Sequence, residues 1–430
     1  MGAGAAGLAT AIFASRGVGS TRRPSVLLLD GTRKPGAKIL VSGGSRCNVT
    51  NASVTPADFW TSGSTAVVRR ILRAFPVSET VDWFRDLGVA LHEEAQGKLF
   101  PDSQRARDVL DALLGAAHQH GATLATAARV ERVERADGGF TVVTQRGELR
   151  ARALVLATGG QSLPKSGSDG AGYRFAAALG HHIVPTTPAL APLVLRADPG
   201  ERPLHRQLTG VAHDVGLTVW VDGAVHIRFN GALLWTHFGV SGPVALNASR
   251  HIERARLDGR VVRVTVALLE GRTFEQVSRY LTDVSRAHPR QALATVLSHA
   301  MPAAVAEAVL ERVPLAPQHR VSLLSRADRL RLAHALSAWE LPVAGTRGYS
   351  FAEATAGGVA LSEIEPGTMQ SRRCSGLYLV GEVLDVDGRL GGYNFQWAWC
   401  TARVAGLALG QSWHAGREGA GEAERGTATA

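Results

Sequence analysis

The stretch Met1-Gly2-Ala3-Gly4-Ala5-Ala6-Gly7 opens the chain and has the spacing G-x-G-x-x-G. In this pattern the first glycine makes a tight turn and the second lets the backbone approach a pyrophosphate. The third glycine lets the following helix pack closely on its strand, with the helix N-terminus facing the anion. Small apolar residues follow over positions 8–14, as a buried helix requires. The stretch therefore predicts a dinucleotide-binding unit.

An acidic residue stands where this unit needs one. The apolar run 26–29 has the composition of a buried strand and ends in Asp30, 23 residues after Gly7. An acid at this place can accept hydrogen bonds from the ribose hydroxyls of an adenine dinucleotide. Glycines alone are a weak signal in a chain with 48 of them. Glycines, helix, strand and acid in register are a strong one.

The strand that normally precedes the fingerprint has no counterpart in this sequence, since only Met1 stands before Gly2. That strand lies in the middle of the sheet, and without it the backbone groups of two neighbouring strands lack partners. We interpret Met1 as a start site placed too late. We expect the upstream frame to encode a short polar start and then roughly five to seven apolar residues.

Composition favours a soluble globular protein. A chain of 430 residues suffices for two or three domains. No apolar run reaches the roughly 18 residues of a membrane span, and no secretory signal is visible, so we expect a cytoplasmic protein without a membrane partner. Three cysteines without C-x-x-C spacing exclude a disulfide framework, and no metal-ligand cluster is present. The net charge of +10 leaves RNA open as a partner, although the arginines are scattered.

The texture of the sequence changes twice along the chain. Strands and helices alternate over residues 1–185, including a hairpin at 129–143 around Asp137-Gly138-Gly139. Residues 186–350 read as an inserted β-rich domain with a helical subdomain at about 270–340. The alternating texture resumes over 351–410, and 411–430 reads as a flexible, solvated tail.

Four segments outside the fingerprint combine glycines with polar groups: 38–51, 157–173, 231–246 and 353–399. The first suits a loop over a flat anionic cofactor, and the second a strand end that passes close to the nucleotide. The third sets His237 among small polar residues, which makes it a candidate catalytic group. In the fourth a strand ends at Gly381-Glu382, and Gly391-Gly392 opens a helix through about residue 407, whose N-terminus favours negative charge.

Together these segments closely resemble the BaiN/YhiN-type bacterial FAD-dependent oxidoreductases, also labelled aminoacetone-oxidase-like flavoproteins. The resemblance covers about residues 2–410. It is carried by S-G-G-S-R-C-N-V-T-N (42–51), T-H-F-G-V-S-G-P (236–243), G-E-V-L-D-V-D-G (381–388) and G-G-Y-N-F-Q-W-A-W (391–399). Family members usually read G-G-G-R-C-N, so Ser45 is a small departure.

The resemblance implies an α/β protein with a Rossmann-like FAD-binding domain, an inserted β-barrel-like domain and a helical subdomain covering the flavin. Carried over by position, the pyrophosphate would be held by Gly2, Gly4, Ala5, Ala6 and Gly7, and the AMP ribose by Asp30. The flavin would be lined by Lys38, Ser42, Gly43, Arg46 and Cys47. Val130 would meet adenine through its backbone, and the nucleotide site would be closed by Thr158, Gly159 and Gly160. The ribityl chain would lie near Gly381 and Glu382, and the pyrimidine edge near Gly391, Gly392, Tyr393 and Asn394.

The leading functional hypothesis is an FAD-dependent reductase that passes hydride from reduced flavin to a polarised double bond of a small molecule, with NAD(P)H as donor. The chain has a single nucleotide fingerprint and lacks the second fingerprint and redox cysteine pair of disulfide reductases. Such a reaction needs a proton donor, for which His237, Cys47 and Tyr393 are candidates. Alternatives are reduction of uracil in RNA to dihydrouracil, an amine oxidase that releases peroxide, and a flavin-binding regulator. The substrate and the oligomeric state stay open.

Overall fold

The computed structural model of the chain describes residues 1–16, 25–197 and 203–426, with 414–426 described by backbone alone. It divides into two compact units: Met1–Thr186 with Ala354–Ala430, and Thr187–Glu353. The mixed α/β class is confirmed. Among the described residues, no helix is both long and apolar enough to cross a membrane.

The helices and strands follow the sequence closely. Those up to residue 189 are, in chain order, α1 Ala5–Ser15, β1 Leu27–Leu29, α2 Ala37–Ser45, β2 Thr50–Asn51, β3 Phe59–Trp60, α3 Thr65–Arg73, α4 Val77–Asp86, β4 Leu91–Glu94, β5 Lys98–Pro101, α5 Ala106–Gln119, β6 Thr123–Ala125, β7 Val130–Ala136, β8 Gly139–Thr144, β9 Gly147–Ala151, β10 Leu154–Leu156, α6 Ala171–Ala178 and β11 Ile183–Ala189. The predicted hairpin is β7–β8, and its turn lies at Asp137-Gly138 as expected.

The remaining elements complete both units. They are β12 Leu193–Leu195, α7 Leu204–Gln207, β13 Ala212–Val221, β14 Ala224–Thr236, β15 Gly239–Ser241, α8 Pro243–Leu257, β16 Val262–Ala267, α9 Phe274–Ala287, α10 Leu293–Ser298, α11 Ala303–Arg312, α12 Arg326–Ser337, β17 Trp339–Leu341, β18 Val343–Thr346, β19 Ala354–Val359, β20 Ile364–Glu365, β21 Gln370–Ser371, β22 Leu377–Leu379, β23 Asp387–Gly388 and α13 Tyr393–Gly426. Helix α13 continues well past residue 407, where we expected it to end, because the Ala-, Glu- and Arg-rich sequence that follows contains no proline. Of the predicted tail, residues 427–430 lie outside the described residues.

The first unit is built around short parallel strands. Strand β1 pairs with β6, and β10 pairs with β22, both in parallel. The second pair continues antiparallel through β21 to β20. Helices α1 and α13 pack together very closely, since a Cβ at Gly406 would lie 2.5 Å from the Cβ of Phe13. This packing holds the N-terminus of α1 in a fixed position at the ends of β1 and β10.

The second unit carries one seven-stranded sheet, in the order β17-β16-β13-β14-β15-β12-β18. Its two edge strands are consecutive in the chain and are joined by Pro342 alone, so the sheet is rolled until its edges meet at one corner. Among the described residues no ladder joins β17 to β18. The expected barrel-like insertion is therefore a rolled but open sheet. The helical subdomain consists of α9 to α12, close to the predicted bounds.

A buried row of polar side chains anchors the β20–β21 hairpin in the first unit. The imidazole of His181 lies 2.8 Å from Glu363 through Nδ1 and 2.8 Å from the Ser371 hydroxyl through Nε2. The Ser371 oxygen also accepts backbone N–H groups from Arg373 and Cys374, which leaves its proton for His181. The order Ser–His–Glu matches hydrolase triads, but His181 is buried and its partners are used up in holding the hairpin.

We expect the stability of the first unit to fall as the pH drops. Burial lowers the pKa of His181 below its ordinary 6.5, against the opposing effect of Glu363. The unfolded chain therefore binds this proton first, and the stability present above pH 6.5 is lost below it, by at most about 1.4 kcal/mol per pH unit. Urea unfolding between pH 8 and pH 5 should show a shallower pH dependence in His181→Gln than in the parent. The exposed neighbour variant, His182→Gln, is the control and should match the parent, and equal slopes in all three proteins would contradict this account.

Candidate cofactor-binding site

The three fingerprint glycines are glycine for three different reasons. Gly2 has a φ of +94°, and a Cβ there would lie 2.3 Å from the carbonyl oxygen of Ala157. A Cβ at Gly7 would lie 1.8 Å from the carbonyl oxygen of Gly2. A Cβ at Gly4, by contrast, would meet no atom within 4 Å. The fold thus requires glycine at the first and third positions, whereas the second faces open space.

Helix α1 begins beside that open space. Gly4 is its N-cap, and neither a side-chain cap nor an acidic residue in the first turn satisfies its free N–H groups. The amides of the first turn, including those of Ala5 and Ala6, are therefore available to an anion, and the helix dipole favours negative charge there. This is the arrangement expected for pyrophosphate binding.

Asp30 connects the fingerprint turn to the neighbouring loop. One carboxylate oxygen accepts the backbone N–H of Ala3 at 2.9 Å. The other accepts the backbone N–H and the hydroxyl of Thr32. The backbone carbonyl of Asp30 accepts the N–H of Ala128, which brings the segment leading into Val130 alongside. The predicted ribose acid and the predicted adenine contact therefore lie close together.

The end of β10 is packed without spare room. A Cβ at Gly159 would lie 2.6 Å from the Ser168 hydroxyl, and one at Gly160 would lie 2.5 Å from the Thr355 hydroxyl. The side chain of Thr158 fills the space beside Gly172. The Ser168 hydroxyl oxygen is buried and has no hydrogen-bond partner among the described residues. It could donate to or accept from a bound nucleotide.

Glu382 is the centre of a polar network that joins four segments of the chain. Its carboxylate lies 2.6 Å from the Lys38 ammonium and accepts the Ser162 hydroxyl at 2.9 Å. It also accepts the backbone N–H of Thr355 at 3.0 Å. Lys38 donates to Ser162 as well. Gly381, the residue before Glu382, lies against the first turn of α1, since its Cβ would be 2.9 Å from the Cβ of Ala6.

The segment 42–47 is a bent loop at the end of α2. Gly43, Gly44, Ser45 and Cys47 all have φ between 55° and 68°, in the left-handed region. A Cβ at Gly43 would lie 2.7 Å from the ring of Phe100. Ser42 bonds within the loop, to the carbonyl of Ile39. Backbone strain of this kind is typical of segments held in place for binding.

Two residues of this loop have protein partners of their own. The Arg46 guanidinium pairs with Glu94 at 2.7 Å and lies over the Phe100 ring at 4.1 Å from its centroid. Cys47 is fully buried, and burial raises the pKa of its thiol to about 12. Both side chains therefore hold the loop, and their predicted contact with the flavin remains a prediction.

The start of α13 is held against the 48–51 segment. A Cβ at Gly392 would lie 2.5 Å from the backbone of Thr50, and the Asn51 amide donates to the carbonyl of Gly391 at 3.1 Å. The side chain of Asn394 forms two hydrogen bonds with the backbone of Gly388. These contacts fix the helix N-terminus beside the loop, as the sequence predicts.

The three candidate proton donors differ in their surroundings. Tyr393 is 5% exposed, lies edge-on to Phe59, and has a pKa raised by burial. Cys47 is covered by protein. His237 lies in the turn between β14 and β15 of the second unit, with an exposed side chain beside the ring of Phe238. The first two lie in the first unit with the glycine turn, whereas His237 belongs to the other unit.

The residues of the first unit fit an adenine dinucleotide. The open space at Gly4, the uncapped α1 and the unpartnered Ser168 hydroxyl form a cradle for an anion. Sequence reasoning missed three participants: Ser162, Thr355 and Ser168. Thr355 and Ser168 stand in segments that their glycines had marked, but nothing local shows that these hydroxyls turn toward Gly159, Gly160 and Glu382.

Comparison with known proteins places the chain beside flavoenzyme-like relatives. The family HI0933-like protein Rossmann domain matches residues 1–408. The ribosomal RNA dihydrouridine synthase of Escherichia coli is 35% identical over 405 residues, which cover 94% of this chain and 95% of that protein. The protein of that name from Haemophilus influenzae is 32% identical over 95% of this chain and 97% of its own length. The 3-dehydro-bile acid delta(4,6)-reductase of Clostridium scindens is 31% identical, covering 96% and 98% respectively.

The different roles of the glycines predict different phenotypes. In Gly4→Ala the added methyl enters the open space, so the thermal midpoint should stay near that of the parent while FAD affinity falls about tenfold or more. In Gly7→Ala the methyl collides with Gly2, so stability should fall by roughly 1–3 kcal/mol. Thermal unfolding and titration of the apoprotein with FAD measure both quantities.

Gly115→Ala is the matched control, because this glycine lies in α5 and also faces open space. It should keep both stability and FAD affinity. If Gly4→Ala bound FAD as tightly as Gly115→Ala does, the open space at Gly4 would not be the pyrophosphate site.

Proposed function

The chain belongs to the HI0933-like family of Rossmann-domain, FAD-dependent oxidoreductases, and on this premise we propose that it reduces a carbon–carbon double bond conjugated to a carbonyl group, with NAD(P)H as electron donor. The observation that carries the proposal is the convergence of the Gly2–Gly7 turn and the Glu382 network on one cradle in the first unit. The relatives' names support the reaction type, since a dihydrouridine synthase and a delta(4,6)-reductase both add hydrogen across such a bond.

FAD, when bound, supplies the hydride chemistry that links a nicotinamide to the substrate carbon. The chain's own task is to hold the dinucleotide and to manage charge and protons. Gly4, the first turn of α1 and Asp30 hold the pyrophosphate and the ribose, and Lys38 carries a positive charge into the network around Glu382. A side-chain acid is also required, because hydride addition leaves negative charge on the conjugated carbonyl group.

We assign the proton-donor role to His237 ahead of Cys47 and Tyr393. An acid must be able to reach its substrate, and His237 is exposed, whereas Cys47 is fully buried and Tyr393 nearly so. Burial raises the pKa of both the Cys47 thiol and the Tyr393 hydroxyl, which makes them weaker acids at neutral pH.

Uracil in RNA is the second candidate substrate. Its C5–C6 bond is conjugated to a carbonyl, so the same chemistry reduces it to dihydrouracil. Two observations favour it: the 35% identity to a ribosomal RNA dihydrouridine synthase and the net charge of +10. Positive charge attracts the phosphate backbone of RNA without reading its sequence.

Anaerobic half-reactions test the proposed function. We expect NADH or NADPH to bleach the flavin absorbance of the holoenzyme within seconds. A cyclic unsaturated ketone or a uridine-containing RNA should then restore the absorbance. Reduction by an amine with peroxide release, and none by either nicotinamide, would contradict the proposal and favour an amine oxidase.

RNA from a strain that lacks the gene distinguishes the two substrates. If RNA is the substrate, mass spectrometry of nucleosides should show that one dihydrouridine is lost and returns when the gene is restored. An unchanged dihydrouridine content would exclude the RNA candidate and leave a small conjugated carbonyl compound.

The proton-donor assignment predicts a selective defect. His237→Ala should bind FAD and accept hydride from the donor like the parent, while reoxidation by substrate slows by roughly 10²–10⁴-fold. The control is His299→Ala, another exposed histidine of the second unit, which should behave like the parent throughout. An unaffected oxidative step, or loss of FAD, would return His237 to a structural role.

A further inference from the structure

A cleft separates the two parallel strand pairs of the first unit. The cavity has a volume of about 1150 Å³. Its walls include β1 on one side and β10 on the other, and Thr10, Ala11 and Ala14 of α1 also line it. Strands β8 and β9 contribute further lining residues, so the cavity lies between layers of secondary structure.

The backbone on both sides of the cleft is arranged as an open ladder. The groups on either side of Leu27–Leu29 are taken by β6, since the Val26 carbonyl accepts from Thr123 and the Asp30 amide donates to Ala125. Peptide groups alternate in direction along a strand, so those of Leu27 and Leu29 face the cleft. On β10, Leu154 and Leu156 bond toward β22, which leaves Val155 facing the cleft from the opposite side.

Met1 and Gly2 occupy one end of this cleft and bond to both walls. The Met1 nitrogen donates to the Val155 carbonyl at 2.8 Å, and the Met1 carbonyl accepts the Ala157 N–H at 2.9 Å. On the other side, the Gly2 N–H donates to the Leu29 carbonyl at 2.7 Å. These are the hydrogen bonds that the last residues of a strand between β1 and β10 would form.

Two further observations indicate that this strand continues through the cleft. The Met1 ammonium group is buried, and burial lowers its pKa to about 6. A peptide N–H at the same place would donate to Val155 without burying a charge. In addition, 44% of Leu27 is exposed, although it stands in the middle of an apolar run that has the composition of a strand buried on both faces.

We propose that the cleft is the seat of a parallel β-strand of roughly five to seven apolar residues that leads directly into Met1 and is supplied by the same chain. With this strand in place, β6-β1 and β10-β22-β21-β20 become one sheet of seven strands. The fingerprint turn is then the continuation of its central strand. Seating of the strand therefore stabilises the turn at Gly2–Gly7, independently of which substrate the enzyme reduces.

Extended chains test the proposal without reference to activity. One carries six alternating valine and isoleucine residues directly before Met1, after a short polar start, and its control carries six serine and glycine residues there. The apolar extension should raise the thermal midpoint by about 5 °C or more over the control. Hydrogen exchange of the Leu27, Leu29 and Val155 amides should slow in the apolar form only. Equal midpoints and equal exchange would overturn the proposal.

A second format covers an apolar extension that aggregates. A synthetic peptide of the same apolar residues, flanked by lysines, is added to the 430-residue chain, with a serine–glycine peptide as control. Slower exchange of the same three amides supports the strand seat, and unchanged exchange overturns it. Protection of these amides without any extension or peptide, together with a doubled molecular mass, would assign the cleft to a second copy of the chain and also overturn the proposal.

Discussion

The rest of the cofactor site depends on the close backbone contact between the fingerprint turn and the ends of β1 and β10. Gly2 bonds to Leu29 on one side and lies against Ala157 on the other. Gly7 then lies directly on Gly2, which directs the N-terminus of α1 at the space beside Gly4. A side chain at either glycine would separate helix from sheet. Because α13 crosses α1 just as closely at Gly406, the same constraint reaches the far end of the unit.

The Glu382 network extends this arrangement from the pyrophosphate side toward the rest of the dinucleotide. A half-buried carboxylate needs compensation, and it receives a cation from Lys38, a hydroxyl from Ser162 and a backbone amide from Thr355. Each partner comes from a different segment of the chain, so the network forms only when the fold is complete. Network residues and glycine turn together make the first unit specific for a dinucleotide rather than for a smaller anion.

Much of this arrangement could be predicted from the sequence, because the deciding features are local. The glycine spacing, the strand ending in Asp30 and the Gly391-Gly392 helix start are all patterns within a few residues, and the structure places them as expected. The partners of Glu382 could not be predicted, since Ser162 and Thr355 lie 220 and 27 residues away from it. The rolled sheet of the second unit depends on a corner at Pro342 that brings its two edges together, and no local pattern encodes that meeting.

The central claim is that the first unit holds one adenine dinucleotide flavin at the Gly2–Gly7 turn. The direct measurement is identification and quantification of the flavin released when the purified protein is denatured. The account predicts FAD, at about one molecule per folded chain. FMN in its place, or a folded first unit that neither carries nor takes up FAD, would contradict it.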